Sequence, residues 1–231
     1  MVVIAITTGE FGFSATLDQH VQDEPTPQKK EALPFGPVSV FTQFFKNQFL
    51  FKAGLVMLVA SIGFGAVATF IVLYTQTYGV GHAGLFLALQ AITVVLARFY
   101  LRRYIPSDGK WHVGFMLKVM SLLTLAVLGI SVGHIVGAFV LYISAILIGI
   151  AQALIYPTLT SFLSFKLPKY GRNMLLGLFI ATADLGVSLG SALMGPIADL
   201  TNYAVMYLIC GIMLIATTLF CIERRQQFIG E

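Results

Sequence analysis

Long apolar stretches separated by short polar connections dominate the chain from residue 50 onward. Six of them are predicted to cross a bilayer as helices: Ala53–Tyr74, Ala83–Tyr100, Val113–Val132, Ile135–Phe165, Met174–Ala198 and Tyr203–Ile222. Each comes close to, or exceeds, the ~20 apolar residues that a spanning helix needs. The fourth is longer than a bilayer requires and contains Pro157, which predicts a kink or a tilt. Residues 1–17 hold an apolar run too short to span, with no basic residue before it. They read as the remnant of a preceding transmembrane helix and not as a signal peptide. Residues 18–37 are polar and carry Pro25, Pro27, Pro34 and Pro37, the composition of a loop. Over 38–49, Val38, Phe41, Phe45 and Phe49 share one helical side, which predicts a short amphipathic helix at the membrane surface. The expected organisation is thus a helix remnant (1–17), a cytoplasmic loop with an interfacial helix (18–49), a six-helix transmembrane bundle (50–225) and a cytoplasmic tail (226–231). The fold class is an all-α membrane protein.

Composition sharpens this. Of 231 residues, 58% are hydrophobic and 10% charged, against roughly 25% charged in soluble domains, and the mean hydropathy is +0.88. The pI near 9.1 follows from where the basic residues sit. Lys29, Lys30, Lys46 and Lys52 precede the first span; Arg98, Arg102, Arg103, Lys110 and Lys118 surround the second junction. Lys166, Lys169 and Arg172 mark the fourth junction, and Arg224 and Arg225 follow the sixth span. The other connections, 75–82, 133–134 and 199–202, contain no Lys or Arg. All 14 basic residues therefore fall on one side, which the positive-inside rule makes cytoplasmic, with both termini there. The basic charge is topology, and no nucleic-acid partner is implied. Cys210 and Cys221, eleven positions apart on one helix, would be separated by about 16 Å, beyond disulfide reach.

The fifth span organises the rest. At helical spacing Gly177, Ala181, Asp184, Ser188, Ser191 and Gly195 form one small and polar stripe, and Gly186 and Gly190 form a GxxxG on another face, suited to close helix packing. A charge at bilayer depth costs at least ~2.5–3.5 kcal/mol, so Asp184 is expected inside a bundle, facing protein or water. It is the candidate proton- or cation-coupling carboxylate, or a counter-charge for a cationic substrate; the competing reading is a structural anchor accepting hydrogen bonds from Ser188 or from neighbouring backbone. Gln90 and Thr93 share a face of the second span, and Gln152 and Tyr156 lie four apart on the fourth. They are candidates for a substrate path or, alternatively, for ties between helices. Thr69 and Tyr74 are weaker candidates of the same kind. His82 and His134 read as interfacial, and Lys118 as a lysine reaching for headgroups. No metal-ligand spacing, cofactor motif or catalytic cluster is present, so neither an enzyme nor a metal site is expected.

Gly84-Leu85-Phe86-Leu87-Ala88 recurs as Gly177-Leu178-Phe179-Ile180-Ala181, 93 positions later. Three spans lie between the two copies, so they run in opposite directions, as in inverted three-helix repeats.

Two motifs carry a family resemblance. Residues 97–111, ARFYLRRYIPSDGKW, resemble the cytoplasmic loop pattern R-P-x-x-G-[RK]-x-x-D-x-x-G of the major facilitator superfamily. Arg98, Arg103 and Gly109 match, while Phe99, Arg102 and Pro106 replace the family's Pro, Gly and Asp. Residues 183–199, ADLGVSLGSALMGPIAD, followed by Asn202 and Tyr203, resemble the eleventh helix of drug-efflux-like members through Asp184, Gly186 and Gly190. The resemblance implies that these six spans are the family's seventh to twelfth, the C-terminal half of a twelve-helix transporter. Spans one, two, four and five would border the cavity, and Arg98 and Arg103 would act in conformational gating. The implied function is secondary active transport, a proton-coupled efflux of a small organic solute or drug across a bacterial cell membrane. The partner would be an N-terminal six-helix half or a second copy of the chain. The alternative is a membrane assembly subunit docking through Gly186 and Gly190, or a non-functional fragment of a split transporter gene.

Overall fold

The computed structural model describes residue 45 and residues 47–101, 112–167 and 172–223, with side chains through Leu219. Six helices account for almost all of them: α1 (Gln48–Tyr78), α2 (Ala83–Tyr100), α3 (Val113–Val136), α4 (Ala138–Lys166), α5 (Arg172–Leu200) and α6 (Tyr203–Glu223). The first five are long and apolar enough to cross a membrane, and α6 is a sixth apolar helix of 21 residues. The chain is an all-α, multi-pass membrane protein. Residues 1–44, including the expected helix remnant and most of the expected surface helix, lie outside the described residues.

Local chemistry sets the helix ends. The Asn47 Oδ1 accepts from the N–H groups of Phe49 (3.1 Å) and Leu50 (3.2 Å), satisfying two of the donors that a helix start leaves open. Gly79 closes α1 in the left-handed region at φ 63°, as C-terminal glycines do. One boundary differs from the sequence expectation. The chain does not turn at 133–134; α3 continues through Val136 and reverses on Gly137 alone, at φ 112° and ψ 175°. Hydropathy pointed to His134 because it is polar. The backbone turned instead at the residue that can adopt a positive φ. Across Pro157, α4 is continuous from Ala138 to Lys166.

Helix α1 is the centre of the bundle. Leu50, Ala53, Ala60, Ala66, Val67, Ile71 and Tyr74 on it are wholly buried. Its largest contact is with α5, and it also meets α6 and α4; α3 packs between α4 and α6, while α2 lies on α4. Exchanging the first three helices for the last three maps the larger contacts onto one another: α1 on α5 becomes α4 on α2, and α3 on α4 becomes α6 on α1. The recurring pentapeptide fits the same exchange, since its central residues Phe86 and Phe179 are both completely buried.

In lipid no hydrophobic drive pulls helices together, so association relies on close contact and hydrogen bonds. At the α1–α5 crossing, a Cβ added at Gly186 would lie 2.5 Å from the Leu58 carbonyl oxygen and 2.6 Å from Ser61 Cβ. At Gly190 it would overlap the Ile62 carbonyl, and at Gly65 the Val187 carbonyl. At the end remote from the basic residues, hydrogen bonds do the same work. The Tyr74 hydroxyl donates to the Ile130 carbonyl (2.6 Å) and the Ser131 hydroxyl to the Ala204 carbonyl (2.7 Å). The Tyr74 and Tyr207 rings meet edge to face at 5.6 Å. Together these join α1, α3 and α6.

Gly190→Ala is expected to lower stability by about 1–3 kcal/mol, the usual cost of overpacking, because the obstacle is backbone and cannot swing aside. Gly177→Ala, on the same helix with nothing within 4 Å, should be neutral or stabilising by a few tenths of a kcal/mol. Thermal unfolding in detergent separates the two. In the same assay Gly137→Ala should cost about 1–3 kcal/mol, because alanine is strained at that φ.

Candidate functional site

Helix α5 has two unlike faces. One carries Leu175, Phe179, Ala183, Gly186, Gly190 and Met194, all buried, and lies against α1. The other carries the small and polar stripe. Gly177, Ala181, Asp184 and Ser188 are exposed, and Ser191 and Gly195 are partly so. The sequence reading placed this helix inside the bundle with Asp184 sheltered; the structure places it at the edge, with the stripe uncovered. The correction has a plain cause. Insertion energetics require that a buried charge be covered, but they do not say which polypeptide covers it.

The Asp184 carboxylate receives no hydrogen bond or ion pair among the described residues. The anchor reading fails in its specific form, because the Ser188 hydroxyl donates to the backbone carbonyl of Asp184 (2.9 Å) and not to its carboxylate. Further along the stripe, Ser191 donates to the Val187 carbonyl (3.2 Å). Ser191 also shares a 2.8 Å hydroxyl–hydroxyl hydrogen bond with Thr69 of α1. A carboxylate and a row of hydroxyls thus line a face that the described residues leave open. Such a face attracts protons, cations and hydrogen-bonding solutes, and it is too costly to leave against lipid.

A second polar group sits where α2 crosses α4. The Gln90 Nε2 donates to the Gln152 Oε1 at 3.1 Å, while the Gln90 Oε1 is buried without a partner. Close approach is permitted by Gly149, where a Cβ would meet the Gln90 carbonyl oxygen and the Thr93 Cβ, each at 2.8 Å. Thr93 itself donates to the Leu89 carbonyl (2.7 Å), so its hydroxyl proton is committed to its own helix. Tyr156, half-buried on α4, has its ring 6.3 Å from that of Phe179. Gln90 and Gln152 are therefore brought together. No described hydrogen bond joins them to Asp184, Ser188 or Tyr156. Tyr74 is no path residue, being fully buried and bonded to a carbonyl.

Arg98 is exposed in the last turn of α2, and Arg103 lies outside the described residues. Gly186 and Gly190 meet α1 of the same chain, so the face that the alternative reading reserved for a separate partner is already occupied. Sequence reasoning missed the opposing small residues, Ser61 and Gly65 on α1 and Gly149 on α4. The signal was available: Ser61-x-x-x-Gly65 and Ala145-x-x-x-Gly149 follow the small-xxx-small spacing. Among the described residues no three His, Cys, Asp or Glu side chains converge, and Cys210 is a buried free thiol.

Over 215 residues the chain is 58% identical to the staphylopine export protein of Staphylococcus aureus (strain Mu50). The match takes in 93% of this chain and 54% of that protein, so the chain spans about half the length of this relative. It matches no protein-family profile and no solved structure.

The Gln90–Gln152 contact is expected to contribute a coupling of about 0.6 kcal/mol, the average for hydrogen bonds between membrane helices. A double-mutant cycle with Gln90→Leu and Gln152→Leu, read by unfolding in detergent, measures it; additive effects would mean that the two amides do not interact.

Proposed function

We propose that this chain is the C-terminal six-helix half of a major-facilitator-type exporter, and that its solute is staphylopine or a close chemical relative. Asp184 is the proton-coupling carboxylate, and the open stripe on α5 is one wall of the transport cavity. The other wall comes from an N-terminal six-helix half or a second copy of the chain. The basic end of the bundle faces the cytoplasm. The observation that carries the reading is the 58% identity to an export protein over nearly the whole chain. It is supported by the carboxylate-bearing face that six helices leave uncovered, and by larger helix contacts that repeat when the first three helices are exchanged for the last three, as in transporters built from internal repeats. Gln90, Gln152 and Tyr156 would offer amide and phenol groups to the solute, and Ser188 would border the carboxylate. Arg98 and Arg103 would take part in closing the cytoplasmic end.

The test is co-expression with the part of the staphylopine export protein that the chain does not match, followed by measurement of staphylopine released from the cells. Release should rise above that from either piece alone. Asp184→Asn should reduce it to background while leaving membrane level and thermal stability unchanged. Unaltered release by Asp184→Asn would remove the coupling role, and release by this chain alone would remove the need for an N-terminal half and leave a second copy as the other wall.

A further inference from the structure

The polar positions of α5 are not spread evenly about Asp184. Toward the end remote from the basic residues, Ser188, Ser191, Gly195 and Asp199 follow at steps of three or four residues. All four lie within about 60° of Asp184 around a 3.6-residue turn. Asp184, Ser188 and Asp199 are exposed, and Ser191 and Gly195 partly so. Toward the basic end the same side carries Ala181, Ile180 and Gly177. The next polar side chain on it is Asn173, eleven residues and about 16 Å from Asp184. The hydroxyl of Thr182 is on the α1 side and donates to the Phe179 carbonyl (2.6 Å). The polar line therefore runs in one direction only.

Each step of the line rises about 4.5–6 Å at 1.5 Å per residue, and two O–H···O hydrogen bonds of about 2.8 Å span nearly the same length. One water can thus join each position to the next. Between Ser191 and Asp199, where a side chain is missing, two features favour water. Gly195 leaves the space open, since a Cβ there would meet only the Phe70 Cζ, at 3.6 Å. Pro196 has no N–H, so the carbonyl of the exposed Ala192 loses its helical donor. The serines before it are bonded elsewhere, Ser188 to the Asp184 carbonyl (2.9 Å) and Ser191 to the Val187 carbonyl (3.2 Å). A freed carbonyl at membrane depth needs a donor, and on an open face that donor is water. Thr69 of α1, bonded to the Ser191 hydroxyl at 2.8 Å, adds a second oxygen midway along. At the mouth, the connections 75–82, 133–137 and 199–202 contain one carboxylate, Asp199, and no Lys or Arg. Besides buried tyrosines, the other titratable side chains at that end are His82, His134, Tyr78, Tyr142 and Tyr203.

We propose that protons reach Asp184 along α5 from the end remote from the basic residues, with Asp199 as the carboxylate that collects them at the mouth. This rests on the reading of Asp184 as the coupling group, and that reading makes the mouth the outer one. A proton taken up by Asp199 passes through waters held by the Ala192 carbonyl and by the oxygens of Ser191, Thr69 and Ser188. It arrives on the Asp184 carboxylate, which becomes a carboxyl; Asp199 is left ionised again, and no other group changes charge. Beyond Asp184 the line stops, so the proton leaves toward the cytoplasmic end only after the helices rearrange. A static leak through the site is thereby prevented.

Two measurements test it, both in intact cells that co-express the chain with the unmatched part of the staphylopine export protein. In a Cys210→Ala, Cys221→Ala background, Ser191→Cys, Gly195→Cys, Gly177→Cys and Ala181→Cys are treated singly with a membrane-impermeant methanethiosulfonate. The reagent needs a hydrated thiolate, so the first two should react at least about tenfold faster than the last two. Equal rates, or the reverse order, would overturn the one-sided route. Staphylopine release against external pH then tests the mouth. Asp199→Asn should need about a tenfold higher external proton concentration for half-maximal release, the low end of what a focusing charge gives an incoming ion. Asp199→Glu should keep the parent curve. An Asp199→Asn curve that coincides with the parent would remove Asp199 from the route. Labelling needs no transport, which separates the two failures. No release from the parent with the labelling difference present would overturn the coupling role on which the route rests; release without that difference would overturn the route alone.

Discussion

The close approach of α1 and α5 is the contact on which the other helices depend. Between apolar helices in an apolar solvent, burial by itself favours no pairing over another. What selects one is how near two backbones can come. Gly186 and Gly190 on α5, met by Ser61, Ile62 and Gly65 on α1, allow carbonyl oxygens to sit where side chains would ordinarily hold the helices apart. Dispersion then acts over many atoms at optimal distance. With α5 held there, α1 still offers surface to α4 and α6, and it becomes the most buried helix of the bundle.

The same contact explains why the polar stripe is uncovered. A helix that commits its glycine face to a neighbour must turn the opposite side outward, and on α5 that side carries Asp184 and Ser188. The α2–α4 crossing, its counterpart in the repeat, solves the problem differently. One glycine, Gly149, admits Thr93, and a pair of amides supplies directional bonding in place of a second glycine. One crossing is steric and the other partly hydrogen-bonded.

Much of this was legible from the residues alone. Insertion into a bilayer is a local matter in which each residue contributes by its own transfer free energy. The helical segments, the gathering of basic residues at one end and the requirement that Asp184 be covered all followed from Lys, Arg, Asp and apolar positions taken one at a time. The turn at Gly137 did not, because Ile135 and Val136 are as apolar as any helix interior and only a backbone angle marks the reversal. Nor could hydropathy tell which glycine would meet which helix, that Gln90 would find Gln152, or that the stripe on α5 would remain open. Those outcomes depend on shape complementarity between surfaces of nearly equal polarity. That is a property of two helices together, and only the tertiary structure decides it.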